Sequence, residues 1–135
     1  MSSASKNIVK MSQDVVVDAL NQIMNAKRVE KREIKIRRKS KVLINLFKMM
    51  KEKGHIDYEI NEEEREVTVK IIKLNECRAI KPRYYASVND IDKYLRRFLP
   101  SRNFGSLIIS TNEGLLDQKD AISKNKGGSL IAYFY

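Results

Sequence analysis

The run Ser129-Leu-Ile-Ala-Tyr-Phe-Tyr135 closes the sequence with six apolar or aromatic residues and no polar tail behind them. Side chains of this kind predict a strand, and the end of the chain is therefore expected to be built into a sheet. Gly127-Gly128 stands just before it. Further upstream, Leu107-Ile108-Ile109 runs into Ser110-Thr111-Asn112-Glu113-Gly114. That order places a hydroxyl-rich turn at the end of another strand. Its small polar groups are expected to face solvent, where they can hydrogen-bond an incoming partner.

The remaining elements follow from periodicity. Met1–Met11 is polar, lacks the apolar core of a signal peptide and reads as a flexible lead-in. Ser12 is expected to cap a first helix, with Asp14 in its first turn and Val16, Leu20, Ile23 and Met24 at helical spacing. Ile34 and Ile36 alternate with charged residues, as in a half-buried strand. Ser40 caps a second helix whose stripe is Leu43, Leu46, Phe47 and Met50, and Gly54 stands where its left-handed stop belongs. Ile56, Tyr58 and Ile60, then Val67, Val69 and Ile71, alternate on either side of Glu62-Glu63-Glu64 and predict a hairpin. After a link at Lys73–Glu76, Cys77–Ile80 and Tyr84–Ser87 read as a strand broken at Pro82. Asn89 and Asp90 open a third helix with the stripe Ile91, Tyr94, Leu95 and Phe98, ended by Pro100. A strand over Leu107–Ser110, a short helix near Asp117–Lys124 and the final strand complete the chain. The expected fold is α+β in two small subdomains. Residues 1–76 form an N-terminal α-β-α-β-β unit, and residues 77–135 form a C-terminal unit that is mostly β with short helices.

Charge narrows the function. Among 135 residues, 27 Lys and Arg stand against 17 Asp and Glu, a formal net charge of +10. Such an excess repels itself on a small globule unless an anion neutralises it. Nucleic acid is the first expectation and an anionic membrane surface the second. The single cysteine, Cys77, allows no disulfide within the chain, and with one histidine, His55, no ordinary metal cage is expected. No apolar stretch approaches the roughly 20 residues that span a bilayer, and a cytoplasmic protein is inferred. No glycine-rich phosphate loop, nucleophile elbow or metal-ligand spacing is present, and the carboxylates sit at a hairpin tip or scattered along helices. No catalytic residue, cofactor or small-molecule substrate is expected, and the chain is not read as an enzyme.

Several groups are candidates for contact with nucleic acid. Ser110, Thr111 and Asn112 carry short side chains that both donate and accept, which suits a base edge or a 2′-hydroxyl. The plain alternative is an ordinary turn whose polar groups satisfy neighbouring backbone. Gly114 would allow close backbone approach or a positive φ. Lys27–Lys41 holds nine Lys or Arg against two Glu. Within it Arg37, Arg38, Lys39, Ser40 and Lys41 crowd the start of the second helix, where outward amides also favour phosphate. Lys81, Arg83 and Tyr84 flank Pro82; Tyr84 could equally stack on a base or belong to the core. Lys124 and Lys126, beside the double glycine, are expected to meet phosphate. His55 and Cys77 are expected to be structural, and Glu62–Glu66 should point away from nucleic acid.

The stretches Asp18-Ala19-Leu20…Ile23…Asn25-Ala26 and Ile36–Lys41 leading into Leu46-Phe47…Met50…Gly54-His55-Ile56 resemble the small-subunit ribosomal protein S8 family. More specific are Lys81-Pro82-Arg83-Tyr84, Leu99-Pro100-Ser101-Arg102-Asn103-Phe104-Gly105, and the hydroxyl turn with its double glycine. The Leu99–Gly105 stretch is similar to the eukaryotic cytosolic branch. The likeness runs from about residue 9 to residue 135, with its motifs in the correct order. It implies a protein without catalytic activity that binds the central domain of the small-subunit ribosomal RNA beside neighbouring small-subunit proteins. It also implies principal contacts at Ser110, Thr111, Asn112 and Gly114. The chain departs from the bacterial pattern at Asn112, which replaces a hydroxyl residue, and at Ser129, which replaces an acidic one. A free regulatory RNA-binding module is the competing reading.

Overall fold

The computed structural model describes residues 2–37, 40–101 and 103–135, with side chains from residue 15 onward. The chain divides into two units, Met1–Leu74 and Asn75–Tyr135. Asn75 and Glu76 go with the second unit because both their N–H groups donate to the Tyr135 carbonyl, and the Tyr135 N–H donates to the Glu76 carbonyl.

The first unit runs α1 (Ser2–Arg28), β1 (Glu33–Ile36), α2 (Lys41–Glu52), β2 (Ile56–Asn61) and β3 (Glu66–Ile71). Helix α1 starts ten residues ahead of the cap expected at Ser12, so the lead-in anticipated over residues 1–11 is helical from Ser2. Residues 2–28 contain neither glycine nor proline, and nothing in the local sequence stops the helix from extending backward past Ser12. Helix α2 begins where its sequence indicated: the Leu43 N–H donates to Ser40 Oγ at 3.2 Å. It ends at Gly54, φ +81°, where the Gly54 N–H reaches the Lys51 carbonyl and the His55 N–H reaches the Met50 carbonyl. Leu43, Leu46, Phe47 and Met50 are all buried.

The three strands form an antiparallel sheet ordered β1-β3-β2. Ile36, Val67, Ile56 and Val69 are buried, and the helices cover that face. The other face is charged in a regular way. Glu33 pairs with Lys70 and Lys70 with Asp57; Lys35 pairs with Thr68 and Thr68 with Glu59. Opposite charges on neighbouring strands offset one another, so this face of the sheet carries no basic excess of its own. His55 is structural, its Nδ1–H donating to the Lys73 carbonyl at 2.7 Å.

The second unit runs β4 (Cys77–Ala79), β5 (Tyr85–Ala86), a 3-10 turn over Val88–Asp90, α3 (Ile91–Phe98), β6 (Ser106–Thr111), β7 (Gly114–Leu116), α4 (Gln118–Ser123) and β8 (Gly128–Phe134). The third helix therefore opens through one tight turn, closed by the Ser87 hydroxyl donating to Asp90 Oδ2 at 2.9 Å. All pairings are antiparallel. Strand β8 lies inside the sheet, between β4 and β6, with β5 pairing along its start. The core on one face joins Leu107, Ile109 and Leu130 to Ile91, Tyr94 and Leu95 of α3. A column of rings, Tyr84, Tyr94, Phe98 and Tyr133, stacks along it at centroid spacings of 5.8, 6.4 and 5.4 Å. Gln118, almost fully buried, has both ends of its amide satisfied: it accepts from the Leu107 N–H and donates to the Gly105 carbonyl. Cys77 is buried, and desolvation pushes its thiol up to about 12, which leaves it inert.

Candidate nucleic-acid interface

Strand geometry separates the hydroxyl run. Successive side chains on a strand point to opposite faces, so Ser110 and Thr111 do not act together. Ser110 pairs with Leu115 on one side and with Ser129 on the other, and Ser129 pairs with Tyr85. Registered partners share a face. Two hydroxyls and one aromatic ring therefore form a row across β6, β8 and β5, with Tyr85 71% exposed.

Thr111 serves the turn. Its hydroxyl donates to the Gly114 carbonyl at 2.9 Å and accepts from the Glu113 N–H at 3.1 Å. That leaves one lone pair for any partner, so Thr111 holds the turn while Ser110 and the exposed Asn112 remain available. Gly114 has φ +102° and open space where a Cβ would stand; it is required for its left-handed backbone and not for close approach. The close approach belongs to the double glycine. A Cβ on Gly127 would strike the Ala86 carbonyl at 2.6 Å, so Gly127-Gly128 is what lets β8 enter between β5 and β6.

Two lysines are gathered at the same end. Lys124 caps α4 and places its Nζ 3.8 Å from Glu113 Oε2 in the turn. Lys126 is bound to the end of α4 through its N–H on the Ala121 carbonyl, two residues before Gly128. Lys81 and Arg83 lie between two fixed points on β8: the Ile80 N–H donates to the Ile131 carbonyl, and the Leu130 N–H donates to the Tyr84 carbonyl. Lys81 is exposed and Arg83 half-buried, and desolvation lowers the affinity of Arg83 for its proton.

Tyr84 is not the exposed ring of this segment. It stacks on Tyr94, and Arg97 lies over it at 5.1 Å with Nη2 3.5 Å from the phenol oxygen. Tyr84 is thus half-buried and engaged by two neighbours, while the more open ring of this segment is that of Tyr85. Sequence reasoning missed Tyr85 because Pro82 interrupts the strand, so alternation could not be carried across to decide which tyrosine faces outward. It also set aside Ser129, and missed β7 as a strand because three residues are too few to show a period.

In the first unit, Ser40 and the exposed Lys41 border an open cleft of about 510 Å³ with Ile44, Asn45, Ile60 and Glu62. The Ser40 oxygen is engaged in capping, while its hydroxyl hydrogen has no partner assigned by that bond. Arg37 is well exposed, with Nε 3.5 Å from Glu66 Oε1. Arg38 and Lys39 lie outside the described residues. The basic run is split by β1: Lys27, Lys31 and Arg32 lie at one end of the sheet, and Arg37 and Lys41 at the other.

Residues 14–135 match the family model described as Ribosomal protein S8. The small ribosomal subunit protein uS8 of Archaeoglobus fulgidus is 39% identical over 129 residues, covering 93% of this chain and 100% of that protein. The protein of the same name from Methanococcoides burtonii is 40% identical, covering 90% and 97%. The small ribosomal subunit protein uS8A of Schizosaccharomyces pombe is 34% identical, covering 91% and 98%.

Proposed function

From the premise that this chain belongs to the ribosomal protein S8 family, we propose that it binds the central domain of the small-subunit ribosomal RNA through its second unit. Family membership gives the coarser role. The protein is a structural constituent of the small subunit of the cytoplasmic ribosome, associates there with ribosomal RNA and ribosomal proteins, and catalyses nothing. The finer reading rests above all on the row Ser110, Ser129 and Tyr85.

A paired set of hydroxyls beside an exposed ring suits RNA. The hydroxyls reach base edges or 2′-hydroxyls in a shallow groove, and the ring offers a stacking platform for an unpaired base. Asn112 and the backbone at Gly114 extend the row into the turn. Lys124, Lys126, Lys81 and Arg83 supply phosphate contacts around it. Arg37, Arg38, Lys39, Ser40 and Lys41 of the first unit supply a separate one, assisted by the outward amides of α2. Phosphate contacts position the RNA and the row specifies it.

The test is a salt titration of the full chain on a central-domain RNA fragment and on an unrelated duplex of equal length. The parent should prefer the central-domain fragment. Lys41→Ala should weaken both complexes alike and reduce the slope of log affinity on log salt by about one unit. Equal affinity of the parent for the two RNAs would overturn the central-domain assignment, and an unchanged slope would remove Lys41 from the interface.

A further inference from the structure

We propose that the end of the first unit opposite Ser40 is a docking surface for an acidic, aliphatic segment of a neighbouring protein. An open cleft of about 470 Å³ lies where α1 ends, with Lys27, Lys31 and Arg32 on its wall, Glu30 beside them, and Ile72 facing across from the end of β3. Ile72 is 65% exposed, and Val29, on the turn that carries these cations, is 70% exposed. Large aliphatic side chains left this open beside three cations call for a partner that brings both carboxylates and aliphatic groups.

The walls are preformed. The Glu30 N–H donates to the Lys27 carbonyl at 3.0 Å, and the Lys31 N–H donates to the Ala26 carbonyl at 2.8 Å. Glu30 itself takes φ +60°, a left-handed turn that swings residues 30–32 back toward the sheet. The Ile71 N–H then fastens this turn through the Arg32 carbonyl at 2.7 Å, while the Ile72 N–H is fixed to the His55 carbonyl at 3.0 Å. A partner therefore meets cations and aliphatic groups at set positions, with little ordering left to be done on binding.

RNA fits this surface less well. Phosphates could answer Lys27, Lys31 and Arg32, but a sugar-phosphate backbone offers Val29 and Ile72 far less apolar surface than leucine side chains do. The second unit, by contrast, presents hydroxyls and an aromatic ring, which are the groups RNA can use. The proposal does not depend on that RNA reading, and its primary test uses peptides.

The probe is a short fluorescent peptide alternating Asp or Glu with Leu, compared with a control in which every Leu is Ser. Binding to the full chain is followed by anisotropy, and the contact surface by amide chemical shifts. The leucine peptide should bind about tenfold more tightly than the control, with shifts centred on Val29, Lys31 and Ile72. The exposed-site substitutions Val29→Ser and Ile72→Ser should remove the preference while leaving the fold intact, and Lys31→Ala should weaken both peptides. Equal binding of the two peptides, or shifts elsewhere, overturns the proposal. So does a titration with duplex RNA that moves the Val29 and Ile72 amides while Ile72→Ser lowers RNA affinity, since the surface would then be an RNA contact.

Discussion

A Cβ placed on Gly128 would overlap the carbonyl oxygen of Ser110. The two backbones approach this closely because β6 and β8 pair at Ser110 and Ser129, immediately beside the glycine. Gly128→Ala must therefore push the strands apart at the point where the hydroxyl row is assembled. It should destabilise the protein by about 1–3 kcal/mol, as other overpacking changes do, and lower RNA affinity as well. Chemical denaturation gives the first quantity; a parental midpoint would mean that the strands can adjust without disturbing the row.

Ser110 and Thr111 should separate binding from stability. Ser110→Ala removes a hydroxyl from the row and leaves the turn intact, so cognate affinity should fall by roughly 1–3 kcal/mol, with the salt slope unchanged because no charge is lost. Thr111→Ala removes two hydrogen bonds inside the turn and should cost about 1 kcal/mol of folding stability. Should Ser110→Ala bind cognate RNA as tightly as the parent while folded, the row is not the specificity element.

The two neighbouring tyrosines should behave as opposites. Tyr85→Ala should leave the denaturation midpoint near the parent's, since the ring is mostly in solvent, yet weaken RNA binding by about 1–3 kcal/mol through lost stacking. Tyr84→Ala removes the ring that Tyr94 stacks on and Arg97 lies over and should act on stability first. Reversed assignments in paired binding and unfolding measurements would refute the exposed-ring account.

Acid should reach the fold through Glu76. The Tyr135 hydroxyl donates to Glu76 Oε2 at 2.6 Å, and this bond, then that from Arg78, holds the carboxyl below its usual 4.5. A depressed carboxylate stabilises the folded state above pH 4.5 and ceases to do so as pH falls through its folded value. The same bond raises Tyr135 above its usual 10.0, so its share persists below pH 10 and fades as pH rises further. Tyr135→Phe should move the Glu76 titration, read by carboxyl NMR, toward 4.5 and flatten the acid-side loss of stability. An unmoved Glu76 titration would assign the depression to Arg78 alone.

Long periodic segments were legible in the sequence. The stripe Leu43, Leu46, Phe47 and Met50 and the alternations through β2 and β3 each carried several repeats, and Ser40 and Gly54 marked their limits. The hydroxyl turn was visible too, but its internal division was not. Whether Ser110 or Thr111 faces a partner depends on the register of β6 against β8, which is fixed by contacts nineteen residues apart. Tyr85 was hidden by the break at Pro82, and the early start of α1 by a serine that looked like a cap and lies inside the helix. Local chemistry indicated which residues could act; pairing between distant strands decided which of them share a face.

Strand β8 follows every other element of its unit in the sequence, yet it pairs with β4, β5 and β6. Synthesis delivers it after all of them. Until residues 128–134 emerge, β4 and β5 have no neighbour to pair with, and Ser110 has neither Ser129 nor Tyr85 in line with it. A nascent or prematurely terminated chain thus holds no half-formed version of the row. Ser110, Ser129 and Tyr85 come into line in a single step, when the final strand joins β5 to β6.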